Sequence, residues 1–188
     1  MTRPDLIDAI DAGLRPRFLF FWGHHGTGER MGAECLSQWY PARFVVDGIA
    51  YPTAEHWMMA GKARTFDDDD ALAHILVAKH PAQAKKLGRT VRDFDGPTWD
   101  RVKIDIVVAG NVAKFSQDPD LCAYLLGTGE RILVEASPRD RIWGIGLGRR
   151  SPHATDPRQW KGDNLLGFAL MRARSQIRRT MAADTAPG

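Results

Sequence analysis

Residues 50–63, with the sequence AYPTAEHWMMAGKA, place a carboxylate and an amine on one side of a predicted helix. Thr53 is a suitable N-cap, and Glu55 follows it in the first turn, where free backbone N–H groups and the helix dipole stabilise a negative charge. Seven residues later, Lys62 returns to nearly the same side, about 10 Å further along the helix axis. That separation is long for an ion pair, but the two charges could hold opposite ends of a small polar ligand above a floor formed by Met58 and Met59.

Each charge also has a purely structural explanation. Acidic residues are enriched in first turns, and a lysine at a helix edge can extend its amine to solvent. His56 follows Glu55, but no second histidine falls at ligand spacing, and His24 and His25 have no nearby cysteine or acid pair. We therefore predict no metal site.

A second stretch, EASPRDRIWGIGLGRR at residues 135–150, combines glycines with arginines. It is not a dinucleotide fingerprint, because the third glycine falls one residue early and Arg149 stands where that glycine should be. Glycines that let a backbone approach a ligand, beside arginines able to bind phosphate oxygens, predict an anion site. A tight turn with solvated arginines explains the same residues. Trp143 offers a face on which a base could stack.

The elements that must position these residues are mostly helical. Apolar runs predict strands at Arg17–Trp22 and Ile132–Ala136, and Asp47-Gly48 predicts a hairpin within residues 43–51. Helical spacing, Pro and Gly signals predict helices at Thr53–Arg64, Asp70–Lys79, Pro81–Leu87, Gly96–Phe115, 118–127 and Asn164–Met181. In the last helix we expect Arg172, Arg174, Arg178 and Arg179 to be solvated. The pattern predicts a compact, predominantly helical α+β single domain with a few short strands.

Composition narrows the class of protein. The chain has 188 residues, 44% of them hydrophobic and 26% charged, which fits one globular domain. No apolar run approaches the roughly 18 residues of a membrane span, and the first residues lack a signal sequence, so we expect a cytoplasmic protein. Cys35 and Cys122 are isolated and suggest no disulfide. The net charge of +3 suits an anionic ligand but is too small for a committed DNA-binding domain.

Taken in order, several segments resemble the NADAR family, also called YbiA-like. They are FLFFWG, LSQWYPARFVVDGIAYPTAEHWMMAGKARTF, AKKLGRTV, WDRVKIDIV, KFSQDPDLCAYLLGTGERILVEASPRDRIWGIG and WKGDNLLGFALMRAR. The resemblance covers residues 17–178, which leaves residues 1–16 as an N-terminal extension and residues 179–188 as a flexible tail. It implies the compact NADAR/YbiA-like fold.

The resemblance further implies N-glycosidase chemistry on ribosylated nucleobases. One branch of the family hydrolyses the C1–N bond of early phosphoribosylamino-pyrimidine intermediates of riboflavin synthesis and releases ribose 5-phosphate. Another removes ADP-ribose from guanine in DNA or RNA, in some cases as the antitoxin of an ADP-ribosyltransferase toxin. No cofactor is implied, because hydrolysis of this bond needs none. The alternative is a non-catalytic module that binds ADP-ribose or modified nucleic acid.

The resemblance also assigns roles to residues. Glu55, Lys62 and Asp140 match its functional positions, with Glu55 stabilising the ribose cation or activating water and Asp140 as a second carboxylate. Lys62 is either a phosphate contact or a Schiff-base nucleophile whose pKa burial must lower. We expect the substrate to be bound by a set of aromatic, glycine and amide residues: Trp22, Gly23, Trp39, His56, Trp143, Gly144, Gly146 and Asn164. As alternatives, Asp140 is a turn residue, Asn164 is a helix cap, and the tryptophans Trp22, Trp39 and Trp143 are core residues.

Overall fold

The computed structural model describes residues 1–24 and 31–184, and within them the chain is mostly helical. The helices are α1 (Arg3–Asp11), α2 (Ala54–Thr65), α3 (Asp69–Leu76), α4 (Pro81–Gly88), α5 (Gly96–Ser116), α6 (Pro119–Gly127) and α7 (Leu165–Asp184). The strands are β1 (Phe18–Phe21), β2 (Phe44–Val46), β3 (Ile49–Tyr51) and β4 (Ile132–Glu135), and short 3-10 turns lie at Ala33–Leu36 and Pro157–Gln159. The prediction of a predominantly helical α+β fold with a few short strands is confirmed.

The chain forms two compact units, residues 1–37 with 123–188 (unit 1) and residues 38–122 (unit 2). In unit 1, β1 and β4 pair in parallel, with Phe18 opposite Ile132 and Phe21 opposite Glu135. A buried apolar cluster that includes Leu6 and Phe168 packs around this pair, together with α7. Because β1 and β4 are far apart in sequence, the sequence of either strand does not indicate which strand it pairs with or in which register.

Unit 2 is built around α2, which packs against α3, α4 and α5. The close approach to α5 depends on Gly110, since a Cβ there would lie 2.2 Å from the Trp57 ring. The Trp57 indole donates a hydrogen bond to the Ile106 carbonyl, 2.6 Å away. The antiparallel β2–β3 hairpin turns at Asp47 and Gly48, whose φ angles of +51° and +76° are those expected of this dipeptide.

Three predictions about elements are corrected. The N-terminal extension contains α1, which the analysis missed although Thr2 and Asp5 form a capping box and Pro4 occupies its first turn. Helix α3 ends at Leu76, three residues earlier than predicted. Helix α7 continues to Asp184, while the end of the predicted tail, residues 185–188, lies outside the described residues.

Arg174 is a further correction, because the structure buries it instead of leaving it in solvent. Only 3% of the residue is exposed. Its guanidinium Nη1 donates to Thr128 Oγ1 at 2.7 Å and to the Arg131 carbonyl at 3.1 Å, at the C-terminal end of α6. Arginine suits this position because one guanidinium can donate to several acceptors, here a hydroxyl and a carbonyl of the segment between α6 and β4.

No helix of the two described stretches is long and apolar enough to span a membrane. Cys35 and Cys122 are both free thiols in the structure.

Candidate functional site

Glu55 lies in the first turn of α2 and is almost completely buried, with 2% of its surface exposed. Thr53 is the N-cap, as predicted, and its hydroxyl accepts the His56 N–H. The Glu55 N–H donates to the Gln38 carbonyl at 2.9 Å, so the residue before Trp39 fixes the start of the helix. A carboxylate this deeply buried is a functional-site candidate, since burying a charge is costly unless the site uses it.

The side-chain amide of Gln38 is held in one orientation by Asn111, and this orientation determines where its acceptor oxygen lies. Asn111 donates its amide Nδ2 to the Val107 carbonyl at 2.8 Å, so its Oδ1 faces Gln38 and must receive a donor. Gln38 Nε2 supplies that donor at 3.1 Å, and this fixes the orientation of the Gln38 amide. Its Oε1 is buried and has no hydrogen-bond partner among the described residues.

Lys114 is a buried lysine that the sequence analysis missed. It lies one turn after Asn111 on α5, and only 1% of it is exposed. Its Nζ lies 4.8 Å from the ring centroid of Phe115 and 5.5 Å from that of Tyr40. A lysine at a position where helical spacing demands an apolar residue is the signal that could have revealed it.

Lys62, at the other end of α2, is partly buried and its amine is held by protein groups. Its Nζ donates to the Gly88 carbonyl at 2.8 Å and lies 3.9 Å from the ring centroid of Phe94. Burial lowers the pKa of this ammonium below the ordinary value for lysine. A nucleophilic lysine requires a lowered pKa, because only the neutral amine can attack.

The residues around these two charges are packed more tightly than the sequence suggests. Met58 and Met59 are both buried, and the Met59 sulfur would lie 2.1 Å from a Cβ at Gly88, so the methionine floor belongs to the core of unit 2. Trp39 is partly buried, with the Lys85 amine 5.8 Å from its ring centroid.

His56 is fully buried, and both of its ring nitrogens have protein partners. Nδ1 lies 2.7 Å from Thr53 Oγ1 and Nε2 lies 3.1 Å from the Ala78 carbonyl. A carbonyl only accepts, so Nε2 carries the proton and Nδ1 accepts from the Thr53 hydroxyl. Burial lowers the pKa of the imidazole, which keeps it neutral. His56 fastens the start of α2 to the end of α3, and we do not carry its predicted substrate contact further.

In unit 1, the carboxyl ends of β1 and β4 place several predicted residues together. Trp22 and Gly23 follow β1, with Trp22 64% exposed and Gly23 at a φ of +82°. Glu135, a carboxylate that the sequence analysis missed, is the last residue of β4 and pairs with Phe21. Ligands commonly bind beyond the carboxyl ends of parallel strands, and this rule could have singled out Glu135 once the pairing was known.

Asp140 organises the turn that follows β4. Its Oδ1 accepts N–H groups from Ile142 at 2.9 Å, Trp143 at 2.7 Å and Gly144 at 3.5 Å. These bonds are those of the turn residue that was the alternative interpretation of Asp140. They use one carboxylate oxygen, and Trp143 is left partly exposed.

The glycines of residues 144–148 lie close to other protein atoms. A Cβ at Gly144 would lie 2.9 Å from the Glu135 carbonyl oxygen and 3.1 Å from Ser137 Cβ. Gly146 has a φ of +66°, and a Cβ there would lie 2.9 Å from Lys161 Cβ. The backbone that comes close is therefore the protein's own. The four arginines that flank the loop are exposed: Arg139, Arg141, Arg149 and Arg150.

Asn164 is fully buried and its side-chain amide is used by β4. Its Oδ1 accepts the Glu135 N–H at 2.9 Å, and its Nδ2 donates to the Leu133 carbonyl at 2.9 Å. Its φ of +56° is a conformation that asparagine tolerates better than most residues. Because both ends of the amide are occupied, we do not carry the predicted ribose contact of Asn164 into the proposed site.

The described residues contain no group of three or more histidine, cysteine, aspartate or glutamate side chains that could hold a metal ion. His24 is described, whereas His25 lies outside the described residues. The predicted site residues thus fall into two sets. Unit 2 holds Trp39, Glu55, His56 and Lys62, and unit 1 holds Trp22, Gly23, Asp140, Trp143, Gly144, Gly146 and Asn164.

Glu55, Lys62 and Asp140 all lie within the segment of the chain that matches one family of proteins. The model of the NADAR domain matches residues 20–178, and the chain belongs to this family. The resemblance predicted from the sequence is confirmed.

Comparison with known proteins gives the same result. The chain is 41% identical over 165 residues to "N-glycosidase R617" of Acanthamoeba polyphaga mimivirus, covering 85% of this chain and 96% of that protein. It is 35% identical over 149 residues to the chloroplastic riboflavin biosynthesis protein PYRR of Zea mays, covering 76% of this chain but 22% of that protein. The NMR structure of the Escherichia coli protein YbiA matches with a TM-score of 0.71 at 26% identity, covering 93% of this chain and 92% of that one.

Proposed function

We propose that this chain is an N-glycosidase that hydrolyses the C1–N bond between a phosphorylated ribose and a nucleobase-type amine. Membership of the NADAR family and the relative named as an N-glycosidase support a hydrolase of N-glycosyl bonds. The observation in the structure that carries the proposal is the nearly complete burial of the Glu55 carboxylate at the start of α2. No bound cofactor is part of the proposal.

Glu55 is proposed to act on the ribose side of the bond. Cleavage develops positive charge on the sugar ring and negative charge on the departing base. A carboxylate that is held by its helix start can stabilise the ring cation or accept a proton from the attacking water. Shielding from bulk water strengthens either effect, because the effective dielectric constant is lower in a buried site.

Gln38 is proposed to orient the group that meets Glu55. Its Oε1 is a buried acceptor of fixed orientation, and a water molecule or a ribose hydroxyl could donate to it. Because the Gln38 carbonyl also holds the Glu55 N–H, one residue sets both the position of the carboxylate and the direction of the acceptor.

Lys62 is proposed as the Schiff-base nucleophile, with a phosphate contact as its second candidate role. In the first role the neutral amine adds to C1 of the ring-opened sugar, the base leaves as its amine, and water then hydrolyses the Lys62–C1 imine to regenerate lysine and free sugar. The lowered pKa of Lys62 supports this role, because it increases the fraction of neutral amine. The bond to the Gly88 carbonyl can persist during attack, because a neutral amine retains N–H donors while its lone pair adds to C1.

Asp140 is proposed as the second carboxylate through Oδ2, since the turn uses Oδ1. Trp22 and Trp143 are proposed to stack on a base, Gly23, Gly144 and Gly146 to shape the backbone beside it, and Trp39 to contact the sugar or base.

Two substrates are candidates: ADP-ribosylated guanine in DNA or RNA, and a phosphoribosylamino-pyrimidine. The exposed arginines at residues 139–150 favour the more highly charged ADP-ribose or nucleic acid. A cytoplasmic location and pairing with an ADP-ribosyltransferase toxin belong to the same proposal.

The second candidate function is a non-catalytic module for ADP-ribose or modified nucleic acid. The 64% exposure of Trp22 favours it, because an exposed indole is suited to stacking on a base without chemistry. This module would bind the same substrates and release no product.

The test is mass-spectrometric product analysis with two substrates in parallel, a guanine-ADP-ribosylated oligonucleotide and the phosphoribosylamino-pyrimidine precursor of riboflavin. Free ADP-ribose from the first identifies a nucleic-acid substrate, and ribose 5-phosphate from the second identifies a flavin intermediate. Binding of either substrate without product, at enzyme concentrations that allow a single turnover, would reject the glycosidase and support the module.

A further inference from the structure

A cavity of about 320 Å³ lies in unit 1 at the amino ends of β1 and β4, the ends away from Trp22 and Glu135. One wall is the segment 14–17, and the other includes Glu130, Met171 and Arg174. Three arginines line this space, Arg15, Arg17 and Arg174, so we call it the arginine cavity. Its first wall precedes residue 20, where the match to the family model begins.

Arg174 lines the arginine cavity and carries a buried donor that has no partner among the described residues. Its Nη1 is used by Thr128 and Arg131, but its Nε is buried and has no hydrogen-bond partner in residues 1–24 and 31–184. A buried N–H without an acceptor is unfavourable, and an oxygen of a bound ligand would remove that cost. Burial, reinforced by the nearby Arg178, also lowers the pKa of the guanidinium, while the charge of Glu130 acts in the opposite direction and only partly offsets this.

The charges around the arginine cavity favour an anion. Arg15 and Arg17 are exposed; Arg15 makes two long bonds of 3.4 Å, to carbonyls of its own turn, and the Arg17 side chain makes no hydrogen bond or ion pair within the described residues. Glu130, the acidic residue of the lining described, is paired with Arg178, which lies outside the lining. Three arginines therefore line the cavity with one carboxylate that is already paired, so the excess positive charge favours an oxyanion.

We propose that the arginine cavity binds a small organic anion through its phosphate or carboxylate group. The oxyanion contacts Arg174, Arg15 and Arg17, and the apolar side chains of Leu14 and Met171 contact the body of the ligand. The volume is near the lower end of the range of small-molecule sites, which limits the ligand to about the size of a mononucleotide. The proposal does not depend on the glycosidase activity.

The test uses inorganic phosphate, phenyl phosphate and benzoate as probes of the full chain at constant ionic strength, with chloride as the reference salt. Binding is followed by amide chemical shifts in ¹⁵N NMR and by thermal stabilisation. We expect saturable shifts at residues 14–17 and near Arg174, with phenyl phosphate binding more tightly than inorganic phosphate. If phenyl phosphate binds more tightly than benzoate, the site prefers a phosphate group. If benzoate binds more tightly, the site prefers a carboxylate group.

Paired variants separate this site from general charge attraction. The double variant Arg15→Ala/Arg17→Ala should weaken binding at least tenfold, while Arg89→Ala/Arg101→Ala, which removes the same charge from exposed positions of unit 2, should leave it unchanged. Glu55→Gln should also bind the probes normally. Equal loss in the two double variants, shifts that map elsewhere, or a response no larger than that to chloride would overturn the proposal.

Discussion

In the sequence, the start of α2 and the glycine loop at residues 144–148 look equally suited to bind a ligand. In the structure, the first contains buried polar groups and the second is closely packed backbone. At the helix start, the Glu55 carboxylate is buried, and Gln38, whose carbonyl accepts the Glu55 N–H, has a buried side-chain acceptor with no partner among the described residues. In the loop, the glycines allow close packing of the chain on itself, against the Glu135 carbonyl and Lys161. Glycine marks a close approach but does not say what approaches, whereas a buried charge needs a specific reason.

The largest effect should come from Glu55→Gln, which keeps the shape of the side chain and removes its charge. If the carboxylate acts on the ribose or on water, the rate of product release should fall by roughly 10²- to 10⁴-fold. The free energy of unfolding should change by less than about 1 kcal/mol if the charge contributes only helix-dipole stabilisation. Product release and thermal unfolding should be measured on the same preparation, so that a loss of activity can be told from a loss of folding. Full activity in this variant would contradict the proposed role of Glu55.

The role of Lys62 can be tested by trapping. Reduction with borohydride during turnover should convert a Lys62–C1 imine into a stable secondary amine, and peptide mass spectrometry should find the sugar on the peptide containing Lys62. Lys62→Met should abolish the adduct. The buried Lys114 is the matched control: an adduct on Lys114, with none on Lys62, would move the chemistry from α2 to α5.

The glycine loop can be tested through stability. In Gly144→Ala the new Cβ would lie 2.9 Å from a backbone oxygen, so we expect a loss of about 1–3 kcal/mol and a melting temperature lower by several degrees. Gly148→Ala is the control, because its Cβ would have its nearest neighbour, Pro138 Cγ, at an ordinary 3.7 Å. If Gly144→Ala instead loses substrate binding at unchanged stability, the loop serves a ligand after all.

The smallest effect concerns the pH dependence that His56 gives to unit 2. Burial lowers the pKa of His56 in the folded protein, so below about pH 6.5, the ordinary pKa of histidine, the unfolded chain binds a proton that the folded chain does not. Stability should therefore be full above that pH and fall as the pH drops towards the folded pKa. Denaturant unfolding across this range should show a weaker decline in His56→Gln. The exposed His153→Gln should follow the unmodified protein.

The sequence by itself determined the local structure and the family. The Thr53 cap, the Asp47-Gly48 turn, the Pro and Gly signals of α4 and the helical spacing of apolar residues in α5 act over a few residues, and the structure confirms each of them. Helix α1 had the same kind of signal in its capping box and was predictable, although it was missed.

Tertiary structure alone decided which polar groups are buried and what they contact. Asn164 and Arg174 resemble surface residues in the sequence, yet each bonds to chain segments more than 25 residues away. Gln38 and Lys114 became candidates because α2 and α5 pack together, and Glu135 because β1 pairs with β4. Local signals depend on neighbours in the chain, but the burial of a charge depends on every segment that packs over it, and the sequence does not record that packing position by position.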